Sequence, residues 1–181
     1  MKRWPNQGVT LVELLVTLAL AGILATIAVP AFRELILNNR RAAQLNAMTA
    51  SLMLARSEAV KTGANAVVCI SDGAALPDCD TAGTQWEDGW LVIVDSDKDG
   101  TVSRADGDLV LEAPAALAEG STLRGNANVS RRITYNSRGS SGSAGTLTHC
   151  DPRGAEEARG IVISNTGRPR LTSDTEVLAC P

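Results

Sequence analysis

Histidine, aromatic residues and closely spaced cysteines are all scarce in this chain of 181 residues. His149 is the single histidine, so one chain cannot build a two-histidine metal site or a conventional catalytic base backed by further ligands. The four cysteines contain no C-x-x-C pair, which argues against zinc. Neither a Gly-x-Ser-x-Gly elbow nor a Walker-type phosphate loop is present. A global excess of base is missing too: 17 Lys and Arg stand against 20 Asp and Glu, a net charge of −3. A non-enzymatic role without a cofactor is the starting expectation.

The even average conceals a division. Residues 72–119 carry twelve acids and two bases, whereas residues 124–170 carry eight bases and three acids. Such asymmetry points to two differently charged surfaces and separate partners. Fourteen of the seventeen bases are Arg, whose planar fork grips phosphate and carboxylate.

The N-terminus is the most informative stretch. Lys2 and Arg3 lie in a short polar leader, residues 1–8, and residues 14–32 follow as an apolar run without a charge. Nineteen residues at about 1.5 Å each span about 28 Å, close to the roughly 30 Å hydrocarbon core of a bilayer. Bases ahead of the run favour a cytoplasmic N-terminus. A secretory signal peptide is the competing reading, but the run is long for one, and Glu13 stands at its entrance. A carboxylate there costs about 2.5 kcal/mol or more unless paired, so it calls for a partner.

Gly8 followed by Val-Thr-Leu-Val-Glu and an apolar helix resembles the class III signal of type IV pilins and type II secretion pseudopilins. In that family prepilin peptidase cuts after the glycine and methylates the new amine, which places cleavage between Gly8 and Val9. The resemblance makes Glu13 the assembly glutamate and Pro30 the helix-kinking proline. Val9 departs from the usual Phe but remains apolar. The implied partner of Glu13 is the Val9 amine of a neighbouring subunit, a buried pair that sets register. Snorkelling of Glu13 to the headgroups is the alternative.

Helical spacing continues beyond the membrane run through Leu45, Met48, Leu52, Ala55 and Ala59, with Arg33, Arg40, Arg41, Arg56 and Lys61 on the outward side. Gly63 is a stop signal. A helix over 11–62 is about 78 Å long, with a kink predicted at Pro30. From residue 66 the period shortens, and strands are predicted over 66–70, 90–94, 109–112, 129–135, 146–149, 161–164 and 168–172. Residues 137–145, rich in Gly and Ser, read as a mobile loop. The fold class is α+β, with antiparallel sheet packed on one helix face. The organisation is a leader at 1–8, a transmembrane and assembly helix at 9–32, its amphipathic half at 33–63, and a periplasmic β-rich domain at 64–181.

The β region looks like the GspH/FimT family of minor pilins and pseudopilins, of the FimT or FimU kind. The resemblance rests on Cys69 to Cys79 around Ser-Asp-Gly, Trp86-Glu-Asp-Gly-Trp90, the Asp-rich turn, Ile133-Thr-Tyr-Asn136 and Ser164-Asn-Thr-Gly-Arg-Pro-Arg170. It implies the type IV pilin fold, other pilin subunits as partners, and an inner-membrane location before assembly into a pilus or pseudopilus. An oxidising compartment suits the cysteines, because a domain with few aromatics benefits from staples. Three connectivities are possible; Cys69 with Cys79 and Cys150 with Cys180 close the most local loops and are favoured.

Two motifs bear on ligands. Asp95, Asp97 and Asp99 with Gly100 match calcium-loop positions one, three, five and six, with Asp106 at twelve. Predicted strands rather than helices flank them, so a solvated turn is the favoured reading and calcium the weaker one. In Gly167-Arg168-Pro169-Arg170, an extended backbone puts both arginines on one face, and Pro169 suits an edge strand. In FimT-like pilins of competent bacteria a Gly-Arg-x-Arg motif binds DNA, so Gly167, Arg168 and Arg170 are the candidate contacts, with Arg132 and Arg138 as outlying members. The alternative is a structural pair bridged to Asp174 and Glu176. Two functions stand: a minor pilin, near a pilus tip, that takes up DNA in natural transformation, or a type II secretion pseudopilin with a structural role.

Overall fold

A computed structural model describes residues 8–75, 77–173 and 180. The chain divides into two units, Met1–Asn39 and Arg40–Pro181, and helix α1 (Leu11–Thr62) contributes to both. Thr10 caps the helix start: its hydroxyl accepts the Glu13 amide at 3.2 Å, and its carbonyl accepts from Leu14. At the other end Gly63 takes a left-handed φ of +66° and closes onto the Ala59 carbonyl.

In the first unit the helix runs through Pro30, whose ring offers no N–H to the preceding turn. Every side chain from Leu11 to Phe32 is exposed, and the segment is long and apolar enough to cross a membrane.

The second unit is built around the helix face that carries Leu45, Met48, Ser51, Leu52, Ala55 and Ala59, all buried. Their spacing of three and four keeps them on one stripe. Two four-stranded antiparallel sheets follow, as the α+β expectation of antiparallel sheet on a helix face allows. One has the order β3 (Leu109–Glu112), β2 (Trp90–Val94), β1 (Ala66–Ile70), β5 (Arg132–Tyr135). The other has the order β4 (Thr122–Gly125), β6 (Gly145–Cys150), β7 (Arg159–Ile163), β8 (Pro169–Thr172). The core joins the helix stripe to Val68, Ile70, Trp86, Trp90, Ile133, Tyr135, Leu147 and Ile161. A smaller cluster of Val67, Cys69, Leu91 and Ile93 lies on the other side of the first sheet, with Cys79, Val102 and Val110 packed on it.

Strand β4 was not foreseen; its only buried residue is Leu123, too little to show a period. The strand predicted over 129–135 starts three residues late. Val129 instead ends a 3₁₀ turn, because its buried carbonyl and that of Ser130 receive the Trp86 indole N–H, each at 3.1 Å. The 137–145 segment is held rather than loose. Asn136 accepts the amides of Arg138 and Ser140 on its side chain, and Ser141 donates to the Asn165 carbonyl. Both favoured disulfides are formed, Cys69–Cys79 and Cys150–Cys180.

Polar links cross the core at two points. The Trp90 indole donates to the Ser51 hydroxyl, and that hydroxyl donates to Glu112, both at 2.9 Å, so helix, β2 and β3 share one chain of hydrogen bonds. Near the start of the unit, buried His149 meets the Gln44 side-chain oxygen at 2.5 Å through Nε2, while Nδ1 lacks a partner among the described residues. A neutral ring protonated at Nε2 gives the Gln44 oxygen a donor. Around it Arg41, expected on the outward side, turns in to Glu157 at 2.9 Å, and Arg153 grips Asp151 at 2.6 Å.

Two outcomes are expected for a fragment beginning at Arg40. Ser51→Ala strands the Trp90 N–H in the core, and should lower unfolding free energy by about 1–3 kcal/mol in urea titrations; a midpoint equal to wild type would contradict the assignment. The second concerns pH. Burial pushes the His149 imidazole below its ordinary value; Asp151 pulls it up, and Arg41 and Arg153 add to the lowering. The unfolded ring takes a proton near 6.5, before the folded one does, so stability should fall as pH drops below about 6.5 and level off below the folded value. His149→Asn should flatten that stretch of the urea-midpoint profile, whereas a wild-type profile already flat from about pH 7.5 to 5 would refute the account.

Candidate functional site

The β8 edge of the second sheet carries the arginine motif. Ser164 to Gly167 form a tight turn, in which the Gly167 amide donates to the Ser164 carbonyl at 2.8 Å. Gly167 has φ +76°, and a Cβ there would collide with the Gly139 carbonyl and crowd Tyr135. Both reasons require glycine. Beyond the turn, Pro169 pairs with Ile163 and Arg170 with Val162. Pro169 is buried, while Arg168 and Arg170 on either side are exposed and share the opposite face. Neither arginine has an ion-pair partner among the described residues; Asp174 and Glu176, the alternative partners, lie outside them.

The close approach at Gly167 also brings in the Asn136–Gly139 turn, so exposed Arg138 joins the motif's surroundings. Arg56 on the helix holds the Gly139 carbonyl through Nε at 2.9 Å and locks that turn in place. Sequence reading put Arg56 on the solvent side, and nothing in its local pattern announces a partner 83 residues away. Arg132 belongs elsewhere. It pairs with Cys69 on the first sheet and lines a recess with Cys79, Asp80, Thr81 and Arg131, so it does not widen the Arg168–Arg170 face.

Pairing elsewhere decides which charges stay available. Among the bases after residue 120, Arg124 is bound by Glu87, Arg153 by Asp151, and Arg159 lies 3.9 Å from Glu157. Asp151 and Glu157 are thereby engaged by arginines other than Arg168 and Arg170. Arg41 and Arg153 also hold the Glu157 carboxyl below the usual range; the hydrogen bond from Arg41 is the largest cause.

At the N-terminus Gly8 and Val9 are exposed ahead of the helix. Glu13 occupies the third helical position, three residues after Thr10, a spacing typical of helix caps; its amide is the one that Thr10 satisfies. Its carboxylate is exposed. Asp95, Asp97 and Asp99 come together in the β2–β3 connection, where one oxygen from each lies within 4.8 Å of the others. Strand β2 and a 3₁₀ turn, Arg104–Asp106, flank this loop, and Asp106 is exposed in that turn.

Known proteins show the same two-part pattern. Residues 5–29 match the prokaryotic N-terminal methylation motif, and residues 44–167 match the family described as type II transport protein GspH. No curated protein matches the chain. Among solved structures, the type IV minor pilin FimU of Pseudomonas aeruginosa in one crystal form is 20% identical, with a TM-score of 0.57 over 75% of this chain and 89% of that one. A second crystal form gives 22% identity and a TM-score of 0.52, over 72% of this chain and 89% of that one. The helix, the antiparallel sheets and the methylation motif thus belong together, and the chain is a member of the GspH family with the fold of a minor pilin.

Proposed function

We propose that this protein is a minor type IV pilin that enters a pilus near its tip and touches the DNA backbone during uptake for natural transformation. The observation that carries the DNA reading is the exposed Arg168–Arg170 face on the β8 edge, with Arg138 beside it. Two guanidiniums on one strand face suit successive phosphates, and backbone contact carries no sequence preference. In this reading prepilin peptidase removes residues 1–8. The helix from Val9 then sits in the inner membrane with its N-terminus cytoplasmic and the domain periplasmic. Glu13 pairs with the Val9 amine of a neighbouring subunit, and Pro30 adjusts the helix for packing. The protein acts by assembly rather than catalysis. The GspH match favours a second reading, a type II secretion pseudopilin in which the same subunit is purely structural.

Processing is checked by mass spectrometry of protein isolated from membranes: the chain should begin at N-methylated Val9, and a start near Ala31 would remove the pilin reading.

DNA binding is checked by salt titration. Each phosphate neutralised contributes about −0.9 to the slope of log K against log salt, so Arg168→Gln with Arg170→Gln should make the slope shallower by roughly 1.8. Affinity should lie on the order of 10⁻⁴ to 10⁻⁶ M at physiological salt. Arg104→Gln with Arg132→Gln removes equal charge from exposed positions off the β8 edge and should leave the slope unchanged. An equal loss in that control means diffuse attraction, and absence of binding in the wild type leaves the structural pseudopilin reading.

A further inference from the structure

We propose that the β2–β3 loop is a calcium site in which Asp95, Asp97 and Asp99 each supply a carboxylate oxygen. Three exposed acids in a turn would not carry this, because solvated aspartates are ordinary there. Asp95 is different. It is 1% exposed, and its two oxygens have unlike surroundings: Oδ2 accepts the Gly100 amide at 3.1 Å, while Oδ1 is buried with no partner among the described residues. A carboxylate oxygen shut away from water without a donor is unfavourable unless a cation satisfies it.

The surroundings point the same way. The Asp95 carboxylate faces those of Asp97 and Asp99, one oxygen of each within 4.8 Å. No cationic side chain forms an ion pair with any of the three among the described residues. The loop is also shaped before any ion arrives. Buried Asp108 accepts the Ser96 amide at 2.7 Å and the Ser103 amide at 3.0 Å, closing the two ends of the turn. Asp78 accepts the Ser103 hydroxyl at 2.9 Å and the Arg104 amide at 3.1 Å, joining the loop to the segment closed by Cys69–Cys79.

The donors select the ion. All three are hard oxygens, and no sulfur or imidazole joins them, which suits calcium and excludes the softer transition metals. Calcium accepts six to eight oxygens in flexible geometry, with water completing the shell, whereas magnesium demands a near-ideal octahedron. With three carboxylates the affinity belongs to the weak, extracellular class, about 10⁻⁴ to 10⁻³ M. The flanking strand does not forbid such a site; what an ion needs is the clustered oxygens, and the Asp95–Gly100 bond supplies the turn between the first and last of them.

The test is calcium chloride titrated into the full chain in a non-ionic detergent, followed by calorimetry and by thermal melting. One calcium ion per chain should bind in the range given above and raise the melting temperature, and magnesium chloride at the same concentration should not. Asp95→Asn alters a buried group and risks the fold, so the variant of choice is Asp97→Asn with Asp99→Asn, both exposed. It should keep its melting temperature in chelator and lose at least tenfold in calcium affinity. Asp88→Asn with Glu119→Gln removes the same charge from exposed positions elsewhere and should bind as wild type does. The proposal is overturned if no binding is seen up to about 10 mM, ten times the weak limit of the class. It is also overturned by an equal magnesium response, by wild-type affinity in the Asp97 and Asp99 variant, or by equal weakening in the control.

Discussion

Burial of strand β1 on both faces is the constraint from which the rest of the second unit follows. All five residues from Ala66 to Ile70 are shielded from water, alternating between the main core and the cluster on the opposite side. A strand apolar on both faces must lie inside its sheet and be covered twice. Strands β2 and β5 flank it, and the helix stripe lies in the core on one side. Among the described residues no second helix covers the other; Cys79 and Val102 from connecting segments, with Val110 of β3, pack on Val67, Cys69, Leu91 and Ile93. Irregular segments have little packing of their own, which explains why this side also holds a disulfide and the hydrogen bonds of Asp78 and Asp108.

How much of this could be read from the residues depended on whether the signal was local. The helix over 11–62, the stop at Gly63 and the strands over 66–70, 90–94 and 109–112 are written in short runs, and the fold reproduces them. Strand β4 holds one buried side chain and leaves no period to detect. The carbonyls of Val129 and Ser130 are satisfied by an indole 43 and 44 residues away, which no window over 129–135 can contain. The same limit applies to the candidate site. Alternation correctly puts Arg168 and Arg170 on one strand face, but it cannot tell which sheet Arg132 joins or that Arg56 reaches Gly139.

Charge is sorted in the same non-local way. The excess of base after residue 120 suggests a broad positive surface, yet much of it is consumed. Glu87 takes Arg124, and a compact group of Arg41, Asp151, Arg153 and Glu157 settles around His149. What remains for a partner is a few arginines placed by backbone geometry, not an overall field. In a chain with net charge −3, any attraction for an anion would therefore rest on position.

Pro169 has a consequence for how copies of the protein meet. An edge strand is a template onto which another chain can add hydrogen bonds, and in a crowded filament every subunit brings such edges near its neighbours. At β8 one backbone donor is missing, and bulky like charges stand on both sides of the gap. Any neighbouring strand laid along it would lose a ladder bond and bring its own charges against two guanidiniums. The feature that displays Arg168 and Arg170 thus also guards the sheet against runaway strand addition.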